Sequence, residues 1–289
     1  MSTCYLSTSN SSLETEARAK LLSDKIGSFH ISIPIETIVS ATISVFEVAT
    51  GRRPIYKILG GSHNENLALQ NVQARIRMVV SYLFAQLLPW VNGRIGSLLV
   101  LGSANVDETL RGYLTKYDCS SADVNPIGGI SKNDLRKFVM QMCSSESFDF
   151  LHEFMDAAPT AELEPTTTEY TQSDESDMGF TYDELSKMGT LRSLRMGPLS
   201  MFKRLLNDWE GLLTPAEIAD KVRRFMFFYS INRHKSAVLP PSYHMSPYGT
   251  DDNRFDLRPF LYNSNWDVQF SQIGEIVLRL GDKKQINTA

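Results

Sequence analysis

Gly96-Ser97-Leu98-Leu99-Val100-Leu101 runs directly into Gly102-Ser103-Ala104-Asn105-Val106-Asp107-Glu108. An unbroken aliphatic run bounded by small residues reads as a short strand buried on both faces, the habit of parallel sheets. The small polar residues after it open a helical turn at the strand's carboxyl edge. Upstream, residues 3–7 are β-prone, Ser11 and Glu14 form a capping box before a helix to about 26, and 29–35 alternates like a strand. Helices over about 36–50 and 65–90 follow, the first ended by Gly51. Strand, helix, strand, helix, strand predicts an α/β fold, a Rossmann-like parallel sheet flanked by helices. Its ligands belong beyond the carboxyl ends of the strands.

The rest of the 289 residues fits a globular protein, with 42% hydrophobic and 21% charged residues. A net charge of −4 gives no global field toward nucleic acid or anionic membranes. Cys4, Cys119 and Cys143 have no paired spacing, which argues against a disulfide framework or a four-thiolate zinc site and for a reducing compartment. The apolar runs 98–101 and 225–229 are too short for a membrane span, and the first twelve residues lack the regions of a signal peptide. A soluble, cytoplasmic protein is expected.

Charge is uneven along the chain. Eight acids and no Lys or Arg lie between Glu162 and Glu184, and the remainder is net basic. That window reads as a solvated connection or a mobile lid. The expected organisation is a nucleotide-binding core over 1–160, an acidic lid or loop over 161–181, and a helical segment with a C-terminal arm over 182–289. Helices are expected at about 182–188, 198–208 and 215–230, and the charged stretch 251–262 as a packed surface arm.

Within this frame, the Ser103 hydroxyl and nearby backbone N–H groups suit phosphate or ribose oxygens, and Glu108 one turn on suits Mg²⁺ shared with phosphates. A plain helix cap with acids in its first turn fits the same letters. On the long helix, Val72, Ile76, Val79, Val80, Leu83, Phe84 and Leu87 form an apolar stripe. Arg75 lies roughly 40° from Val79 at about 100° per residue, on the edge of that face, with Arg77 pointing away. A salt bridge or a cleft would accommodate Arg75 equally well. The run 113–132 carries Lys116, Asp118, Asp123, Gly128-Gly129 and Lys132. Ser131 with Asp134 caps the next helix, leaving Lys132 in its first turn, which is unfavourable for a cation unless an anion offsets the dipole. Gly60-Gly61-Ser62 reads as a turn, and His234-Lys235 as a second possible anion contact. His30 and His152 read as structural, and no histidine pair has zinc spacing.

The stretches from Asn66 to Arg77, from Leu98 to Lys132, Pro159-Thr160-Ala161-Glu162-Leu163 and Thr171 to Gly179 together resemble the synthetase domain of eukaryotic glutamine-dependent NAD⁺ synthetases, over about residues 11–270. The resemblance implies an ATP-pyrophosphatase-type fold and NAD⁺ biosynthesis. In that reaction ATP adenylates the nicotinate carboxylate of deamido-NAD⁺, and ammonia then displaces AMP. It places Ser103, Lys132 and Thr160 against ATP, Glu108 on Mg²⁺, and Arg75, Lys116, Asp123, His234 and Lys235 against deamido-NAD⁺. It also implies a homo-oligomer. The family's Ser-Gly-Gly-x-Asp-Ser pyrophosphate loop and glutaminase domain are not in this sequence, and Met1 matches the start of the family's second strand. The expectation is an N-terminally shortened domain with unassigned catalytic residues and little turnover alone. Rival readings are a non-catalytic nucleotide-binding or oligomer-interaction protein, and a relative of GMP synthetases, disfavoured because the deamido-NAD⁺ positions match together.

Overall fold

The first 50 residues form a βαβα unit in the computed structural model, which describes residues 1–155, 162–165, 173–249 and 263–286. β1 (Ser2–Ser7) pairs in parallel with β2 (Phe29–Pro34), Ser2 opposite Phe29 and Ser7 opposite Pro34. α1 (Leu13–Ile26) makes the crossover. Its N-cap is Ser12, accepting from Thr15 N–H, one residue later than the expected Ser11 pair; Ser11 Oγ instead accepts from Thr8 N–H. α2 (Glu36–Thr50) ends at Gly51 in the left-handed region, as its sequence indicates. α3 (His63–Val91) opens with a Ser62–Glu65 capping box, so Gly60-Gly61-Ser62 is the turn into it. A Cβ on Gly61 would overlap the Ile55 carbonyl.

Two expectations need correction. Residues 96–101 are not a buried strand: Leu99 is 70% and Leu101 58% exposed. Val100 and Gly102 bond to the backbone of Asp123 and Val124, and Leu101 forms a single parallel bridge with Val124. Only an irregular loop serves as partner, so no ladder propagates, and the sheet among the described residues has two strands. The stripe on α3 is also split. Ile76 and Val80 are buried, whereas Val79, Leu83 and Leu87 are exposed. Loop 115–125 and residues 162–164 cover a second side of this helix, through Asn71–Thr115 and Arg77–Glu162 hydrogen bonds, and displace its buried face from the simple apolar arc.

The remaining helices are α4 (Val106–Arg111), α5 (Lys132–Cys143), α6 (His152–Met155), α7 (Asp174–Met178), α8 (Tyr182–Ser193), α9 (Pro198–Asp208), α10 (Pro215–Asn232) and α11 (Asp267–Ile286). Thr181–Glu184 and Thr214–Glu217 capping boxes start α8 and α10. α11 has no counterpart among the helices expected from the sequence; residues 251–262, expected as a surface arm, lie outside the described residues. The chain divides into two compact units. One comprises Met1–Ser103, Thr115–Asn125 and Arg136–Asp177, the other Ala104–Leu114, Pro126–Leu135 and Met178–Ala289. The first unit's core is Leu6, Ile35, Val39, Ile76 and Val80. The second buries a much larger cluster from α4 and α8 to α11, including Met188, Phe202, Phe225 and Ile273.

Candidate functional site

In the second unit, the start of α4 is built by Asn105. Its side chain accepts from the N–H groups of Asp107 and Glu108, while Glu108 Oε2 accepts from Asn105 N–H. The helix-cap reading of this stretch is therefore realised. The half-buried Glu108 carboxylate also accepts from the Tyr182 hydroxyl at 3.3 Å, and Lys132 Nζ lies 5.4 Å from the centre of the Tyr182 ring. Tyr182 thus has the expected phosphate contact over its ring and the expected metal ligand at its hydroxyl. Sequence reasoning saw it only as a helix start, since one aromatic in a first turn carries no distinguishing pattern.

At the start of α5, Ser131 Oγ accepts from Asp134 N–H and donates to the Asp134 carboxylate. The Lys132 N–H donates to Asp107 Oδ2 at 2.9 Å, and the Tyr248 hydroxyl donates to Asp107 Oδ1 at 2.6 Å. Asp107 has no exposed surface. The anion that the dipole argument called for at this helix end is, in part, an internal carboxylate. Burial pushes the Asp107 carboxyl up, against the downward pull of Tyr248 and the Lys132 N–H, and burial beside Asp107 raises the Tyr248 hydroxyl. Lys235 donates to the carbonyl oxygens of Gly112 and Leu114, at 2.8 and 2.5 Å, beside half-buried His234.

In the first unit, Arg75 is exposed, and its Nε donates to the Lys116 carbonyl oxygen at 3.1 Å. Lys116 Nζ lies 5.3 Å from the Tyr117 ring. Asp123 accepts from Tyr82 Oη and from Val100 N–H, which pins loop 115–125 to α3 and to the 96–101 stretch. Ser103 is exposed at the end of that stretch. Arg77, expected to point away, is the more buried arginine and donates to the Glu162 carbonyl oxygen; burial lowers its pKa. Burial pushes the nearby Cys119 thiol up to about 11, the reverse of an activated nucleophile. Thr160 lies outside the described residues. Ser103, Arg75, Lys116 and Asp123 share the first unit, and Glu108, Lys132, His234 and Lys235 the second. A cavity of about 260 Å³ in the first unit is lined by Ser9, Glu36, Arg53, Tyr56 and Gln73 among others, none of them singled out from the sequence.

No group of three His, Cys, Asp or Glu suited to a metal occurs among the described residues. Mg²⁺ needs less, because it is held by one or two carboxylates with substrate phosphates completing its shell. Glu108 accepts from Asn105 and Tyr182. A single half-buried carboxylate of this kind suits an ion shared with phosphates rather than an all-protein site. No helix among the described residues is long and apolar enough to cross a membrane.

The NAD synthase family model matches residues 1–196. The glutamine-dependent NAD⁺ synthetase of Saccharomyces cerevisiae is 60% identical over 277 residues, covering 95% of this chain and 39% of that protein. The enzyme of the same name from Homo sapiens is 56% identical over 282 residues, covering 97% of this chain and 40% of that protein. The chain spans about two-fifths of the length of these relatives. A glutamine-dependent NAD⁺ synthetase structure from Cytophaga hutchinsonii superposes with TM-score 0.73 at 23% identity, covering 94% of this chain and 40% of that one, and shares the fold. With two-thirds of its length matched by the family model, the chain belongs to the NAD synthase family.

Proposed function

We propose that this chain is the synthetase part of a glutamine-dependent NAD⁺ synthetase, converting deamido-NAD⁺ to NAD⁺ with ATP and ammonia. A carboxylate is a poor electrophile until one of its oxygens becomes a leaving group. The nicotinate carboxylate attacks the α-phosphorus of ATP, pyrophosphate leaves, and ammonia attacks the acyl carbon to expel AMP. Negative charge moves onto pyrophosphate in the first step, where the Lys132 ammonium meets phosphate oxygens and stabilises them. Ser103 and Thr160 complete the ATP contacts. Glu108 would hold Mg²⁺, which when bound draws charge from the phosphate oxygens. Arg75, Lys116, Asp123, His234 and Lys235 orient deamido-NAD⁺.

In this reading residues 1–160 are the nucleotide-binding core, 161–181 the acidic lid or loop, and 182–289 the helical segment and C-terminal arm of the same domain. The exposed apolar residues Val79, Leu83, Leu87 and Trp90 on α3 support a homo-oligomer. The three free cysteines are consistent with a reducing, cytoplasmic setting. The observation that carries the proposal is the convergence of Lys132 and Glu108 on Tyr182.

Calorimetry with ATP and Mg²⁺ tests it, alongside NAD⁺ formation from deamido-NAD⁺ and ammonium. Lys132→Gln is expected to weaken ATP binding about tenfold, as loss of a charge-assisted contact does. Glu108→Gln is expected to abolish the Mg²⁺ dependence of binding. Wild-type behaviour in both variants overturns the assignment. Binding without NAD⁺ formation places the chain in the non-catalytic, nucleotide-binding class.

A further inference from the structure

Asp107 is the best-buried carboxylate among the described residues of the second unit, yet its side chain plays no part in capping its own helix, a task that Asn105 and Glu108 perform. Its two oxygens face elsewhere. Oδ2 takes the N–H of Lys132, the first residue of α5, and Oδ1 takes the hydroxyl of Tyr248. Tyr248 belongs to a segment that is itself fastened to the loop preceding Lys132. The N–H groups of Met245 and Ser246 both donate to the Gly129 carbonyl oxygen, at 3.3 and 2.9 Å. A Cβ on Gly129 would overlap the Tyr243 carbonyl, so only glycine lets this backbone cross so closely. The Tyr248 ring lies on Gly189 of α8, where a Cβ would approach ring carbons to 2.7–2.8 Å.

We propose that Asp107 and Tyr248 are positioning residues for Lys132. Residues 243–248 act as a strap across the 126–131 loop, and the Tyr248–Asp107 pair fixes where the Lys132 backbone starts relative to the first turn of α4. Glu108 stands on that same turn, next to Asp107. The pin therefore sets the spacing between the ammonium over the Tyr182 ring and the carboxylate at its hydroxyl. A buried carboxylate with both oxygens engaged is directional in a way an apolar contact is not. Glycines at both crossing points let the strap backbone and the Tyr248 ring approach closely enough for those bonds to form. This inference rests on the reading of Lys132 as a triphosphate contact.

The test uses the whole chain with Tyr248→Phe and Asp107→Asn, and pairs hydrogen exchange at the Lys132 amide with ATP titration. In Tyr248→Phe the Lys132 N–H is expected to exchange about tenfold faster while amides in α9 and α10 keep their protection, and ATP binding is expected to weaken about five- to tenfold, on the scale of one net hydrogen bond. Asp107→Asn, which keeps one acceptor oxygen, is expected to fall between wild type and an Asp107→Ala chain. In a Lys132→Gln background, Tyr248→Phe is expected to cost no further ATP affinity. Unchanged exchange at Lys132, or an affinity loss that persists undiminished in the Lys132→Gln background, overturns the positioning role. Equal ATP binding by wild type and Lys132→Gln overturns instead the triphosphate reading on which the proposal stands. The exchange measurement needs no ligand, so the two failures are distinguishable.

Discussion

Met188, Leu205, Phe202, Phe225 and Met226 in the second unit have no exposed surface, while in the first unit Val45, Val48, Val79, Ile95 and Leu99 are each more than 60% exposed. The second unit closes a helical core around rings in contact, Phe225 stacked on Tyr229 and edge-on to Phe180. Among the described residues the first unit's core cluster has five buried members, and polar networks hold much of the rest. Gln73 accepts from Thr8 and Asn10 and donates to Tyr56 Oη and the Leu163 carbonyl oxygen. The Glu162 carboxylate takes the hydroxyls of Ser12 and Thr15 at 2.7 Å, and Glu164 takes the amides of Asn66 and Gln70. Glu108 and Lys132 stand on a scaffold that apolar burial makes rigid. Arg75 and Lys116 stand on one whose rigidity depends on satisfied hydrogen bonds. The first is insensitive to small polar changes; the second is sensitive to them.

Truncation of the densest point should break the comparison most. Phe225→Ala is expected to cost about 3–5 kcal/mol, since it removes a fully buried ring and its aromatic neighbours cannot close the gap. Urea unfolding followed by Trp266 fluorescence reads this directly, because that indole is held against Ser230 of the same helix. A loss under about 1 kcal/mol would show a core able to collapse around the cavity. In the first unit the corresponding injury is polar. Gln73→Ala removes the side chain that links Thr8, Asn10, Tyr56 and the Leu163 carbonyl and is expected to cost about 1–3 kcal/mol. Hydrogen exchange in β1 should rise while α10 keeps its protection, and equal loosening of both would erase the distinction between units.

The elements that could be read from sequence are those whose instructions are local. α2, α9 and α10 end or begin on Gly51, Pro198 and a Thr214–Glu217 box, signals that act within one turn. The stretch 96–101 failed because strand formation needs partners, and an aliphatic run says nothing of who pairs with it. The α3 arginines were exchanged for the same reason. Periodicity locates one buried face, but the loop and acidic segment that bury Arg77 come from elsewhere in the chain. Among site residues, Lys132 and Glu108 can be singled out as candidates from their types and spacing. Tyr182 and the Tyr248–Asp107 pin were not, because a pairing 141 residues apart in sequence leaves no local trace.

Removing a single cap tests whether the second unit's helices owe their stability to tertiary burial. Thr214→Ala leaves the Glu217 N–H without its side-chain acceptor and is expected to cost about 1 kcal/mol, measured by urea unfolding. Such a loss is a small fraction of what Phe225→Ala removes. A cap effect as large as the ring's would mean that α10 is held chiefly by its own ends.

The smallest effect should separate the two faces of α3. Ile76→Val removes one methylene from the thin core and is expected to cost about 0.5–1.5 kcal/mol. Val79→Thr, three residues on and 66% exposed, should change the chain's stability by no more than about 0.5 kcal/mol. Its consequence belongs to association instead. If the exposed strip of Val79, Leu83 and Leu87 meets a second copy, Val79→Thr lowers the sedimenting mass at a given concentration while the unfolding midpoint extrapolated to low concentration stays put. A midpoint that falls with no change in mass would mean that Val79 is buried within a single chain in solution. The contrast between an apolar unit closed on itself and one closed in part by another molecule would then fail at the helix that best displays it.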